Sequence, residues 1–268
     1  LIKLSTAAFA AMVPAAVVGF SSAQVSALTP SQISALTTAL AAAITAQQAT
    51  GLTTSQTSAI ESQDLARMTT SAVAAISAAA VATLSSTQIG ALTTEQVQAL
   101  TTAQVNAMTS TQSSGLGASQ MSAMTSSDLM QLTTSAFVAV DGSSLAALSS
   151  TQAGVLTTDQ IVALTTLQAA ALTSTQSMGM GSTQSAVLSG QNLTQLSSGA
   201  LVALTTQSFE AIRSSEISHL SSTQVGALTS DQVTALTTSQ AAALTSVQAQ
   251  GITTSQTAAL ESGDLNKL

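Results

Sequence analysis

Cysteine, tryptophan and tyrosine are absent from this 268-residue chain, which has only four phenylalanines and two prolines. Without cysteine there are no disulfides and no thiolate metal sites, although this alone does not fix the compartment. The shortage of aromatics removes the large side chains that normally fill a globular core of this length. Charge is also scarce. Eleven acids stand against four bases, Lys3, Arg67, Arg213 and Lys267, for a formal net charge of −7. So few, widely separated bases offer no patch that neutralises phosphates, and no nucleic-acid partner is expected. Mean hydropathy is +0.43, yet Ser, Thr or Gln interrupts nearly every apolar run, so no transmembrane span is expected either.

What remains is Ala, Leu, Val, Ile, Met, Ser, Thr and Gln in strict order. Every eighth residue from Leu4 to Leu268 is a large aliphatic, Met or Phe side chain, through Met12, Phe20, Leu28, Leu36, Ile44, Leu156 and Leu260. No insertion breaks the phase. A fixed period marks a repeat architecture, in which each unit buries its apolar face only against its neighbours.

The consensus octad reads Leu-Thr-Thr-x-Gln-Val-x-Ala, as in Leu92 to Ala99 and Leu156 to Ala163. Position two is Ser or Thr in 26 of the 33 octads from residue 5 to residue 261. Ser or Thr followed three residues later by Gln is a capping box, and the apolar positions one and six fall where a hydrophobic staple needs them. The expected fold is therefore all-α: a solenoid or superhelix of very short helices, one per 8-residue repeat. Residues 1–268 would form a single continuous array. Helices this short lack independent stability, so stacking must hold them. The competing fold is a β-solenoid, favoured by the Thr and Val content and opposed by the Ala-rich eighth position and the few Gly and Asn at turns.

A longer period overlies the first. Asp64, Asp128, Asn192 and Asp264 are equivalent, as are Gly51, Gly115, Gly179 and Gly251. They divide the array into super-repeats of 64, 64 and 72 residues starting near 20, 84, 148 and 220. Within each, Gln-bearing octads give way to a block without that Gln. The extra octad in the third super-repeat points to the octad itself as the screw unit. Alternatively, about eight octads complete one superhelical turn. Leu1 to Phe20 resembles a signal peptide in its Lys3 and apolar stretch, but Leu4, Met12 and Phe20 already keep the octad phase. Pro14 and Pro30 fall at the first helical position, where Pro is tolerated.

No residue set offers a reaction. His219 is the only histidine, and it lies in the Ala column, which is expected to face inward. Glu61/Asp64 and Glu261/Asp264 occupy the capping positions, where an acid replaces one helix-start acceptor by another. A calcium site at such a pair would lack a dense oxygen shell. Gly115-Leu116-Gly117 and Gly179-Met180-Gly181 lack the strand, helix and Lys of a phosphate loop. No nucleophile, base and orienter combine, so no catalytic, cofactor-binding or metal residue is assigned, no cofactor is expected, and the chain is read as a non-enzyme.

The stretch Leu28-Thr29-Pro30-Ser31-Gln32-Ile33-Ser34-Ala35-Leu36 resembles the helix opening of TAL-effector repeats, which implies a shared helix-start grammar without the base-reading loop. Over nearly its whole length the chain resembles the Leu-Thr-Thr-x-Gln-Val-x-Ala arrays of large, repetitive bacterial surface and secreted proteins. That resemblance implies an extracellular or cell-surface protein with a structural or adhesive role, attached through regions not present here. Low charge suits close packing between copies, and array ends that match each other would give a head-to-tail contact that does not close. The expected function is a fibre-forming structural protein that self-associates as a homopolymer. The alternatives are a passive adhesin stalk, or an ice- or carbohydrate-binding surface made of Thr rows.

Overall fold

A computed structural model of the chain describes residues 3–259, so Leu260, Glu261, Asp264, Leu265, Lys267 and Leu268 lie outside the described residues. Thirty-two helices, numbered in chain order from α1 (Thr6–Ala10) to α32 (Thr254–Ala259), succeed one another, and no strand occurs among the described residues. Each is four to six residues long. Every octad from the one opening at Leu4 to the one opening at Ile252 contributes one helix, so the fold is an all-α solenoid of short helices and not a β-solenoid.

The capping register produces these helices directly. At α12 (Thr94–Gln98) the Thr93 hydroxyl accepts the Gln96 amide at 3.2 Å, and the Thr93 amide donates to Gln96 Oε1 at 2.9 Å. Two of the donors left free at the helix start are thereby satisfied. The helices end without a left-handed residue, and among the described residues no φ is positive. After α5 (Thr38–Ala43) the chain turns through two extended residues, Ile44 at φ −66°, ψ 121° and Thr45 at φ −81°, ψ 161°. Any residue adopts this region, which explains how the chain turns so often with so little Gly.

The chain divides into two compact units, Leu1–Val140 and Asp141–Leu268. In the first, helices up to α14 (Ser110–Ser113) pack on the third helix after them, as α6 (Ala46–Ala49) does on α9 (Thr70–Ala75) and α12 on α15 (Ala118–Ala123). Residues 6–18 follow the same rule, since α1 and α2 (Pro14–Val18) pack on α4 (Pro30–Ser34) and α5. Pro14 and Pro30 open their helices. In the second unit α19 (Ser150–Gly154) packs on α22 (Ser174–Gly179), while α27 (Ser214–Ile217) lies between α24 (Gly190–Gln195) and α30 (Thr238–Ala242). The spacing of three helices is the same in the 72-residue super-repeat as elsewhere. The octad is thus the screw unit, and a coil closes after about three octads and not after eight.

Positions one, five and six of the octad form the core. In one mid-chain octad these are Leu92, Gln96 and Val97, all buried. The eighth position does not face inward as expected: Ala99 is only half-buried and His219 is exposed. The reason is rotational. Helix entry from the cap turns positions five and six to the axis and carries position eight to the rim. Size matching completes the packing. Ser113 on α14 (Ser110–Ser113) lies under α17 (Thr134–Val138), which buries Phe137. Ser185 on α23 (Ser182–Ser185) lies under α26 (Thr206–Glu210), which buries Phe209. A small residue 24 positions before a Phe makes room for the ring, at the cost of two buried hydroxyls, Ser113 and Ser185, that find no hydrogen-bond partner.

Candidate functional site: the glutamine column

The side chain at position five does two jobs. Its carbonyl closes the capping box of its own helix, and its amide nitrogen reaches the preceding coil. Gln96 Nε2 donates at 2.8 Å to the carbonyl of Leu65, 31 residues earlier, and at 2.8 Å to that of Met68, 28 residues earlier. Leu65 is the last residue of α8 (Ser62–Leu65), and its carbonyl also accepts the Met68 amide at 3.2 Å, so the glutamine adds a second donor there and serves the Met68 carbonyl as well. Gln56 makes the same pair of bonds to Val25 and Leu28 at 2.7 Å each. In the second unit Gln248 makes it to Ile217 at 2.8 Å and Leu220 at 2.7 Å. One buried amide therefore satisfies the start of its own helix and the end of another. The sequence reading found only the first role. The signal for the second lay in the choice of amide over acid: position five holds nineteen Gln and one Glu, whereas a capping box by itself accepts either. Only the amide has hydrogens to donate.

Where Gln is missing, the substitutes divide into two kinds. Asn192 Nδ2 donates to the Leu164 carbonyl at 3.0 Å, and the Ser208 hydroxyl to that of Met180 at 2.8 Å, each 28 residues earlier. These keep the stitch. Asp64 does not: it is fully buried and neither carboxyl oxygen has a hydrogen-bond partner. Nor does Glu61, at the N-cap of α8, make a side-chain cap bond. The expectation that Glu61 and Asp64 merely exchange one helix-start acceptor for another is therefore corrected, since neither acid makes a side-chain cap bond at the start of α8. Burial, with a smaller contribution from the Glu61 charge, raises the pKa of Asp64 above the usual carboxylate range. Burial also raises that of Asp128, where the Thr125 hydroxyl donates to Oδ2 at 2.6 Å and partly opposes the rise.

The super-repeat glycines mark close approach. A Cβ on Gly51 would fall on the carbonyl of Ser22, on Gly115 on that of Ser86, on Gly179 on that of Ser150, and on Gly251 on that of Ser222. Backbone meets backbone at these points, which no other residue allows. Around Gly115 lies an open depression of about 470 Å³, lined by Ser62, Ser86, Thr87, Gly90, Ala91 and Ser114. It carries no charged side chain. Gly117 and Gly181 are N-caps whose amides donate to Gln120 and Gln184.

The remaining candidates do not assemble into a reactive set. His219 fits beside Gly190, where a Cβ would strike its ring. Glu216 accepts the Gly190 amide at 2.6 Å and pairs with Arg213 at 3.3 Å, fastening α27 to α24. Among the described residues no three His, Cys, Asp or Glu side chains come together as metal ligands. No helix among them is long and apolar enough to cross a membrane. Glu261 and Asp264 lie outside the described residues.

Comparison with known proteins agrees with this repetitive reading. No curated protein matches the chain. The family model of the ALTTAQ repeat matches at residues 1–38, 57–94, 201–238 and 211–246, so similarity to that repeat recurs along the chain.

Proposed function

We propose that this chain is a structural, non-catalytic repeat protein that works outside the cell by assembling end to end into a fibre. The observation that carries this reading is the one-way stitching of the glutamine column. Every such bond runs from a position-five amide to carbonyls of an earlier coil, so each stitched coil has one donor face and one acceptor face. Two surfaces that complement each other without being the same form a heterologous contact, and a screw that repeats it does not close. The low charge favours such stacking, because little ionic desolvation opposes it. Several position-two hydroxyls are already engaged as caps, as at Thr93, Thr157 and Thr229. This leaves less hydroxyl surface for an ice- or carbohydrate-binding role.

Negative-stain microscopy and light scattering of the purified chain test the proposal. Filaments much longer than one chain are expected. Replacing Leu260 and Leu268 with Lys should shorten them, whereas Lys at the half-buried Ser126 and the exposed Ser127 should leave their length unchanged. Monomeric rods under all conditions would favour the stalk of an adhesin instead.

A further inference from the structure

We propose that Asp64 is a proton-operated latch: the folded array holds it as a neutral carboxylic acid, and loss of that proton loosens the coil formed by α8, α9 and α10 (Ala78–Val81). The first ground is geometric. In the position-five column Gln56 and Gln96, Asn192 and Ser208 all point a hydrogen at a carbonyl 28 residues earlier. Asp64 occupies the same place, opposite the region of Leu36. A carboxylate has only acceptors to offer there, facing a group that also only accepts. The neutral acid has the hydrogen that the position calls for.

The second ground is the surroundings. Both carboxyl oxygens are buried and unpartnered, and an uncompensated buried charge is neutralised in preference to being kept. The helices packed against α8 are α5 and α11 (Ser86–Gly90), neither of which contains an ionisable residue. The Gln96 stitch brings α12 against it as well, with Glu95. On its own segment stand Glu61 at the helix start and Arg67, which is exposed. Two of the three charged neighbours are thus acids, which disfavour a further negative charge, and the one base stays in solvent.

The third ground is position. The octads of α8, α9 and α10 carry Asp64, Ala72 and Ala80 at position five. No glutamine stitches this coil to the one before it, and Asp64 is its sole polar member of the column. Burial pushes the Asp64 pKa up, so its contribution is complete below the ordinary Asp range. It is lost as pH rises through the higher value that the fold imposes. The coil is therefore tighter below that raised value than above it.

The test uses the full chain as wild type, D64N, D128N and the double variant. Melting temperature is followed by circular dichroism from pH 4 to pH 8, and the carboxyl carbon of Asp64 is titrated by NMR. Wild type should melt lower at pH 7 than at pH 4. D64N, which supplies the donor that Asn192 supplies elsewhere, should raise the neutral melting point by several degrees and flatten the profile. D128N should remove a smaller part of the slope, because Thr125 already serves that acid. Amide protection of α8 to α10 should rise in D64N at pH 7 while that of α12 stays level. An unchanged pH slope in D64N overturns the proposal. So does a wild-type Asp64 carboxyl that titrates at or below the ordinary Asp range, a readout that holds even if the variant fails to fold.

Discussion

Helices α9 and α12 lie 24 residues apart in one frame, yet they are held by different forces. Under α12 the Gln96 amide is bonded to two carbonyls of the preceding coil. Under α9 the same position is Ala72, buried and with no side-chain polar group. There the neighbouring position six carries the load: Val73 packs over α6, whose own position six is Ala49. The block of Asp128, Ala136 and Ser144 behaves alike, with Leu129, Phe137 and Leu145 fully buried beside them. Stitched positions thus add directional bonds to apolar packing, and unstitched positions rely on packing alone. Hydrogen bonds fix the register of a coil, because a shifted amide would forfeit its bonds to the cap and to the preceding coil. Packing tolerates small shifts and is felt mainly through volume.

This contrast predicts an order of sensitivities. The largest effect belongs to the unstitched block: Phe137→Ala should cost about 3–5 kcal/mol, since the cavity opens over Ser113 and nothing directional resists collapse. Urea unfolding of the variant measures it, and a loss no greater than that of a surface change would dissolve the distinction. Next comes Gln96→Glu, which keeps the cap acceptor and removes the donor. It should cost about 2 kcal/mol at neutral pH by leaving the Met68 carbonyl unserved and the Leu65 carbonyl with only the Met68 amide. Acid should restore part of the loss, because the protonated side chain regains a hydrogen; a pH-independent deficit would show that the stitch does not matter. Smallest is Thr93→Ala, which should cost about 1 kcal/mol as a lost cap, read from the same unfolding curves.

The helices themselves were readable because their causes are local. A Thr-x-x-Gln box, the Leu and Val of a staple and the next Thr cap all lie within eight residues, so one helix per octad follows from the string alone. The stacking was not readable, because it joins residues 28 and 31 positions apart. No local pattern carries that distance. The Ala column was misplaced for a related reason. Ala99 is apolar enough for a core, but what turns it to the rim is the path into the next corner at Leu100. Gly115 stood out by its recurrence, yet its cause, the backbone of Ser86, appears only once two coils are placed side by side. The burial of Asp64 was hidden by a sound local rule, that acids suit helix starts, which holds only where the start faces solvent.

The one-way reach of the glutamines has a consequence for how the protein is made. Gln56, Gln96 and Gln248 all act on carbonyls of residues that precede them, and a ribosome delivers those residues first. Each new octad then meets a finished surface within about thirty residues of chain, a short loop to close. The array is expected to wind itself up as it emerges, one octad at a time, with no segment waiting for a distant partner still to be synthesised.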